Sequence, residues 1–155
     1  MKKTLPIGSI DIPENWEDRT NYQFVSQQTE GLETPMAFGH PVHTPHTSLL
    51  LSLITLPKRT NLDQYLLTQI EELRQVLRSF KLNSRDPWVH PVLGKVATID
   101  CSFEIQPGKS VRQLQFYAPN ENPDTFVLVT VSVAESQYKN KHAEIEHLFA
   151  SFQPS

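Results

Sequence analysis

The chain has 155 residues, 38% of them hydrophobic and 20% charged, which is enough for one packed domain over 1–155 and too little for two. With 14 basic and 17 acidic residues the formal net charge is −3, which argues against a nucleic-acid partner, whose binding draws on phosphate neutralisation. Glycine is scarce at 5 residues and proline plentiful at 12, where average usage would give about 11 and about 8. Turns must therefore lean on Pro, Asn and Asp.

In chain order, the start Met1–Ile10 has a basic tip but then Pro6, Gly8 and Ser9 in place of an apolar stretch, so no signal peptide is expected. Ile10, Ile12 and Trp16 open a short strand and the "IPENW" turn, and Asn21–Gln27 forms a second strand carrying Tyr22 and Phe24. Residues 29–47 contain Gly31, Pro35, Gly39, Pro41 and Pro45, too many breakers for a regular element. Ser48–Thr55 reads as a strand closed by Pro57. A helix then starts at a capping signal, either Thr60 with Asp63 or Asn61 with Gln64. Its stripe of Leu62, Tyr65, Leu66, Ile70, Leu73, Val76, Leu77 and Phe80, spaced by three and four, carries it to about Phe80.

Val96–Ile105, Ser110–Tyr117 and Thr125–Val133 read as an antiparallel meander, the first pair joined by Gln106-Pro107-Gly108-Lys109, which suits a type II turn. Cys101 falls in the alternation Ala97, Ile99, Cys101, Phe103, Ile105 and is expected to be a buried core thiol. Ile145, Leu148, Phe149 and Phe152 mark a final short helix. Strands, a helix, a meander and a helix make an α+β fold, an antiparallel sheet flanked by helices. No apolar run approaches the roughly 18 residues of a membrane span, so stable membrane insertion is not expected and the cytoplasm is the expected location.

The informative residues are polar ones where the period demands apolar ones. Gln69 lies on the helix stripe, four after Tyr65 and four before Leu73. In the strand from Ser48, Leu49, Leu51 and Leu53 share one face, and Ser48, Leu50, Ser52 and Ile54 the other. The strand from Ser110 repeats this mixture, with Leu114 and Phe116 opposed to Val111, Gln113, Gln115 and Tyr117. Singly, each is an ordinary solvent-facing or backbone-satisfied side chain. Jointly they describe an apolar groove speckled with hydroxyls and carboxamides, suited to a transmembrane helix rich in Ala, Gly and Ser.

The ordered set "IPENW", Ser48-Leu49-Leu50-Leu51-Ser52, Asn61-Leu62-Asp63-Gln64-Tyr65 with Gln69, and Arg112-Gln113-Leu114-Gln115-Phe116 resembles the domain of unknown function 1795, or DcrB-related, family. More narrowly, it is similar to the Eag chaperones of bacterial type VI secretion, from Ile10 to Phe152. That resemblance implies a Mog1/PsbP-like α+β fold and a cytoplasmic homodimer. It would cradle the N-terminal transmembrane segments of a PAAR-containing effector, Rhs-type effectors among them, and help load it onto the VgrG spike. Ser48, Ser52, Gln69 and Gln113 match polar groove positions of that family and Leu77 an apolar one, while Leu50 and Ile54 supply burial. Tyr22, Phe24 and Gln115 are further groove candidates, with Asn21 and Gln23 replacing the first two if the strand register differs by one.

Catalysis has little raw material. His40, His43 and His46 repeat at metal-like spacing, but Pro41 and Pro45 extend the backbone and no Cys or acidic ligand lies at motif spacing, so no metal is expected. His142 and His147, five apart on a helix, do not share a face. Asp100 and Glu104 alternate away from the apolar face of their strand and do not form an acid–base pair. No phosphate-cradling glycine loop or nucleophile motif is present, so no cofactor and no enzyme activity are expected. The alternative to the chaperone is an interaction module of the same fold with another partner.

Overall fold

The computed structural model of the protein describes residues 2–5, 8–11, 16–20, 23–26 and 47–154. Tyr22, His40, His43 and His46 lie outside these residues, as do Asn21, most of the "IPENW" turn and all but Thr47 of the proline-rich stretch.

The strands are β1 (Lys2–Leu5), β2 (Gly8–Asp11), β3 (Trp16–Thr20), β4 (Gln23–Ser26) and β5 (Ser48–Thr55). After helix α1 (Leu62–Val76) come β6 (Arg78–Ser84), β7 (Trp88–His90), β8 (Gly94–Gln106), β9 (Lys109–Pro119) and β10 (Thr125–Ala134). Helix α2 (Tyr138–Ala150) and the short β11 (Gln153–Pro154) end the chain. Among the described residues, eight strands form one antiparallel sheet in the order β3-β4-β5-β10-β9-β8-β6, with β7 paired to β8, and β1-β2-β11 form a smaller one.

The main sheet buries an apolar cluster on each face, one beneath each helix. On one face Leu49, Leu51, Phe116, Val127, Val129 and Val131 meet Ile145, Leu148 and Phe149 of α2. On the other, Ile99, Cys101, Phe103, Val111 and Tyr117 meet Leu66 and Ile70 of α1. Strand alternation sends the odd residues of β5 and β10 to the α2 face and their even residues to the α1 face.

Local chemistry explains most boundaries. Of the two capping alternatives the helix uses Asn61 with Gln64. Gln64 N–H donates to Asn61 Oδ1 at 2.8 Å, and Asn61 N–H donates to Gln64 Oε1 at 3.2 Å. Gly108 takes φ +78, as the third position of a type II turn requires, and Gln106 and Lys109 pair across it.

The expected helix to Phe80 is shortened. Leu77 is the C-cap, with extended backbone at φ −98 and ψ 136, and Ser79 at φ 54 turns the chain into β6. Leu77 and Phe80 fit a helical stripe, but Phe80 and Leu82 also fit a strand, and pairing with β8 provides the ladder that decides the matter. β6 and β7 are therefore strands that the helical reading did not contain.

Candidate functional site

The α1 face of the sheet gathers most of the sequence-selected residues into aligned rows. Ser48 pairs with Ser132, which pairs with Gln113. Leu50 pairs with Thr130, which pairs with Gln115. Ser52 pairs with Leu128, which pairs with Tyr117, and Ile54 pairs with Phe126. β10 runs between the two selected strands, so Ser48 and Gln113 stand about 10 Å apart, two strand spacings.

Gln113 is the most enclosed of these side chains at 1% exposure, while Ser48, Leu50, Ser52, Ile54, Gln115 and Ser132 are half-buried. A short relay joins the carboxamides. Gln115 Nε2 donates to Gln113 Oε1 at 3.3 Å, and Gln113 Nε2 donates to Ser132 Oγ at 3.5 Å. Ile54 and Leu77 belong to the apolar cluster under α1, together with Leu128 and Phe126. Leu50 belongs to neither apolar cluster of the described residues. Gln69 is half-buried on the flank of the α1 stripe, whose centre is Leu66 and Ile70.

In β4 the register sets Gln23 opposite Leu50 and Phe24 opposite Leu49. Gln23 is therefore the position aligned with the Leu50 row, and Phe24 is aligned with the α2-face row. Thr130, Ser132 and Leu128 were missed in the sequence. Their signal was available, because Val127, Val129, Val131 and Val133 occupy one period-two face and leave Phe126, Leu128, Thr130 and Ser132 on the other.

These rows carry no formal charge, and their nearest titratable groups stay neutral. Burial, reinforced by the neighbouring Asp100, pushes the Cys101 thiol up to about 12. Burial also raises the Tyr117 phenol, whose ring meets Tyr65 edge-on at 6.4 Å, and the Tyr65 phenol is raised by burial and by Glu72. With the thiol buried and protonated, this surface offers hydrogen bonds and apolar contact but no activated nucleophile.

Charge is concentrated on the opposite face. Arg112 grips Asp100 with two hydrogen bonds, Nε to Oδ1 at 2.9 Å and Nη2 to Oδ2 at 2.7 Å, and lies 3.7 Å above the Tyr138 ring. Asp100 is thus a structural ion-pair partner and Glu104 pairs with Arg78 at 3.6 Å. Among the described residues, no group of three or more His, Cys, Asp or Glu side chains is placed to hold a metal. Likewise, no helix there is long and apolar enough to cross a membrane.

Comparison with solved structures shows the fold. Over 99% of this chain and 94% of theirs, the yeast (Saccharomyces cerevisiae) Ran-binding protein Mog1p matches with a TM-score of 0.60 at 14% identity. Cyanobacterial PsbP from Synechocystis matches at 0.61 and 9% identity, covering 100% of this chain and 92% of that one. PA94 of Pseudomonas aeruginosa, a protein of unknown function, matches at 0.60 and 15% identity, covering 100% and 96%. None of the curated proteins compared with the sequence matches it significantly. The fold is Mog1/PsbP-like α+β, and since the DcrB family profile matches residues 8–151, the chain belongs to the DcrB family.

Proposed function

We propose that this protein is a non-enzymatic chaperone of bacterial type VI secretion. It binds the N-terminal transmembrane segments of a PAAR-containing effector in the cytoplasm, shields them from water and membrane, and aids loading onto the VgrG spike. The observation that carries this reading is the set of uncharged rows on the α1 face, where Ser48, Ser52, Thr130, Ser132, Gln113 and Gln115 alternate with Leu50, Ile54 and Leu128.

A transmembrane helix is apolar but presents small hydroxyls and closely approached backbone carbonyls, which such a surface can pair while burying the aliphatic remainder. A wholly aliphatic face would leave those groups unpaired at about 1–3 kcal/mol each, and a charged face would reject the lipophilic ones. One sheet face covers one side of a helix about 30 Å long, so a second copy covering the other side makes the active species a homodimer. Membership of the DcrB family and a fold shared with a Ran-binding protein support the coarser reading, an interaction module.

The test is co-expression with the N-terminal segment of a PAAR-containing effector. The chaperone reading expects the segment in the soluble fraction, co-purifying with two copies of this chain by light scattering. A segment that stays in the membrane fraction contradicts it. Retention of a globular partner without any transmembrane segment supports the interaction module instead.

A further inference from the structure

A cleft of about 160 Å³ opens on the α2 face, and Gln115 is the one residue it shares with the rows described above. One wall is the α2 stripe His142, Ile145, Glu146 and Phe149, spaced i, i+3, i+4 and i+7 so that all four share a helix side. Trp88 and Leu114 complete an apolar end with Ile145 and Phe149, and the Trp88 and Phe149 rings lie 6.3 Å apart, tilted by 53°. A space of this size with an aromatic and aliphatic lining accepts a single ring, as an engineered cavity of about 150 Å³ accepts benzene.

The rim decides the charge of the ligand. No Lys or Arg lines the cleft, whereas Asp100 and Glu146 do. Asp100 is already committed, both oxygens to Arg112 and Oδ1 also to Asn83. Thr98 spends its proton on the Asp86 carbonyl at 2.6 Å, and Ser84 Oγ accepts from the Asp86 N–H, so these hydroxyls hold the rim in place. Glu146, with His142 Nε2 at 3.4 Å and 62% exposed, is the carboxylate left to meet an incoming donor.

We propose that this cleft is a binding site for a compact aromatic amine, its ring among Trp88, Leu114, Ile145 and Phe149 and its ammonium at Glu146. Aromatic walls favour a ring over an alkyl chain through edge and tilted contacts, and the Glu146 carboxylate, with Asp100 taken by Arg112 and no Lys or Arg in the lining, favours cation over anion. The residues proposed to hold the ring and the ammonium lie outside the rows of the proposed chaperone face, so either reading can fail alone.

Amide NMR titration of the full chain at pH 8 with benzylamine, benzyl alcohol and benzoate tests it. Benzylamine should saturate at one site, moving Thr98, the Trp88 indole, Ile145 and Phe149, with benzyl alcohol weaker and benzoate absent. Glu146→Gln should weaken benzylamine roughly twofold to fivefold, as loss of an exposed charge pair does, and leave benzyl alcohol unchanged. Leu114→Phe, checked for its melting curve, should remove both ligands by filling the ring space. If Leu114→Phe fails to fold, the Glu146→Gln comparison decides. Unsaturable shifts, shifts outside the cleft, benzoate binding as tightly as benzylamine, or an equal response of both ligands to Glu146→Gln would overturn the proposal.

Discussion

Gln113 and Ser132 stand opposite one another on neighbouring strands, Nε2 3.5 Å from Oγ, at a point where the sheet buries the carboxamide to 1% exposure. A bond at the long limit of hydrogen bonding contributes little to folding, so the amide costs the fold nearly as much as it returns. Gln113→Leu should therefore change unfolding free energy by less than about 1 kcal/mol, whereas Gln113→Glu should destabilise by several kcal/mol through an unpaired buried charge. Urea denaturation of both variants measures this. A large loss in Gln113→Leu would make the amide a structural keystone.

Leu77 combines two roles. Its N–H donates to Leu73 O at 2.9 Å as the C-cap of α1, and its side chain packs in the cluster under that helix. Leu77→Ala should cost about 1–3 kcal/mol, less than a fully buried leucine because the site is half-exposed. Charge at this position would act on the fold as well as on a client, so melting curves must accompany any binding assay of Leu77→Arg.

His90 gives the protein an acid-side weakness. Val92 and Leu93 N–H groups donate to Nδ1 at 3.1 Å each, so the neutral ring carries its proton on Nε2, which faces Phe149 O at 3.0 Å. Burial lowers its pKa below 6.5, partly opposed by the Phe149 and Phe152 carbonyls. Between the lowered value and 6.5 the unfolded chain binds a proton that the folded one refuses. Its contribution to stability is complete above 6.5 and is lost as pH falls below it. Denaturation at pH 8, 6.5 and 5 should show a steeper acid loss for the wild type than for His90→Gln; parallel slopes would contradict the assignment.

Asp100→Ala leaves Arg112 half-buried beside Glu135 at 3.8 Å and the Tyr138 ring. The loss should be about 2–3 kcal/mol, below the full cost of breaking a deeply buried pair. A change no larger than the ~0.5 kcal/mol of an ordinary surface substitution would show that the pair is ornamental to the fold.

How much was legible follows from which signals were local. Asn61 and Gln64 announced the start of α1 because capping is decided within four residues. The meander of β8, β9 and β10 was readable because strict alternation and a Pro-Gly turn leave few other options. Leu77 and Phe80 misled because their spacing of three continues the helical stripe while Phe80 and Leu82 fit a strand, and only the distant partner strand β8 decides between the two. The groove candidates of β5 and β9 were found from broken alternation, yet Thr130 and Ser132 joined them only through the register of β10 between. Asp100 read as a surface residue because nothing in the sequence pairs it with Arg112 across the ladder.

Paired charge insertions on the two faces of β5 decide whether the α1 face holds an apolar client helix. Leu50 is half-buried on the α1 face, and Leu53 is 54% exposed on the opposite one. Each is replaced by arginine, checked for folding by its melting curve, and scored for the amount of effector N-terminal segment co-purified. Leu50→Arg should lose the segment, because an unpaired charge would be buried against the helix, and Leu53→Arg should retain it at wild-type yield. A folded Leu50→Arg protein that still carries the segment at wild-type yield would place the client elsewhere than on the α1 face.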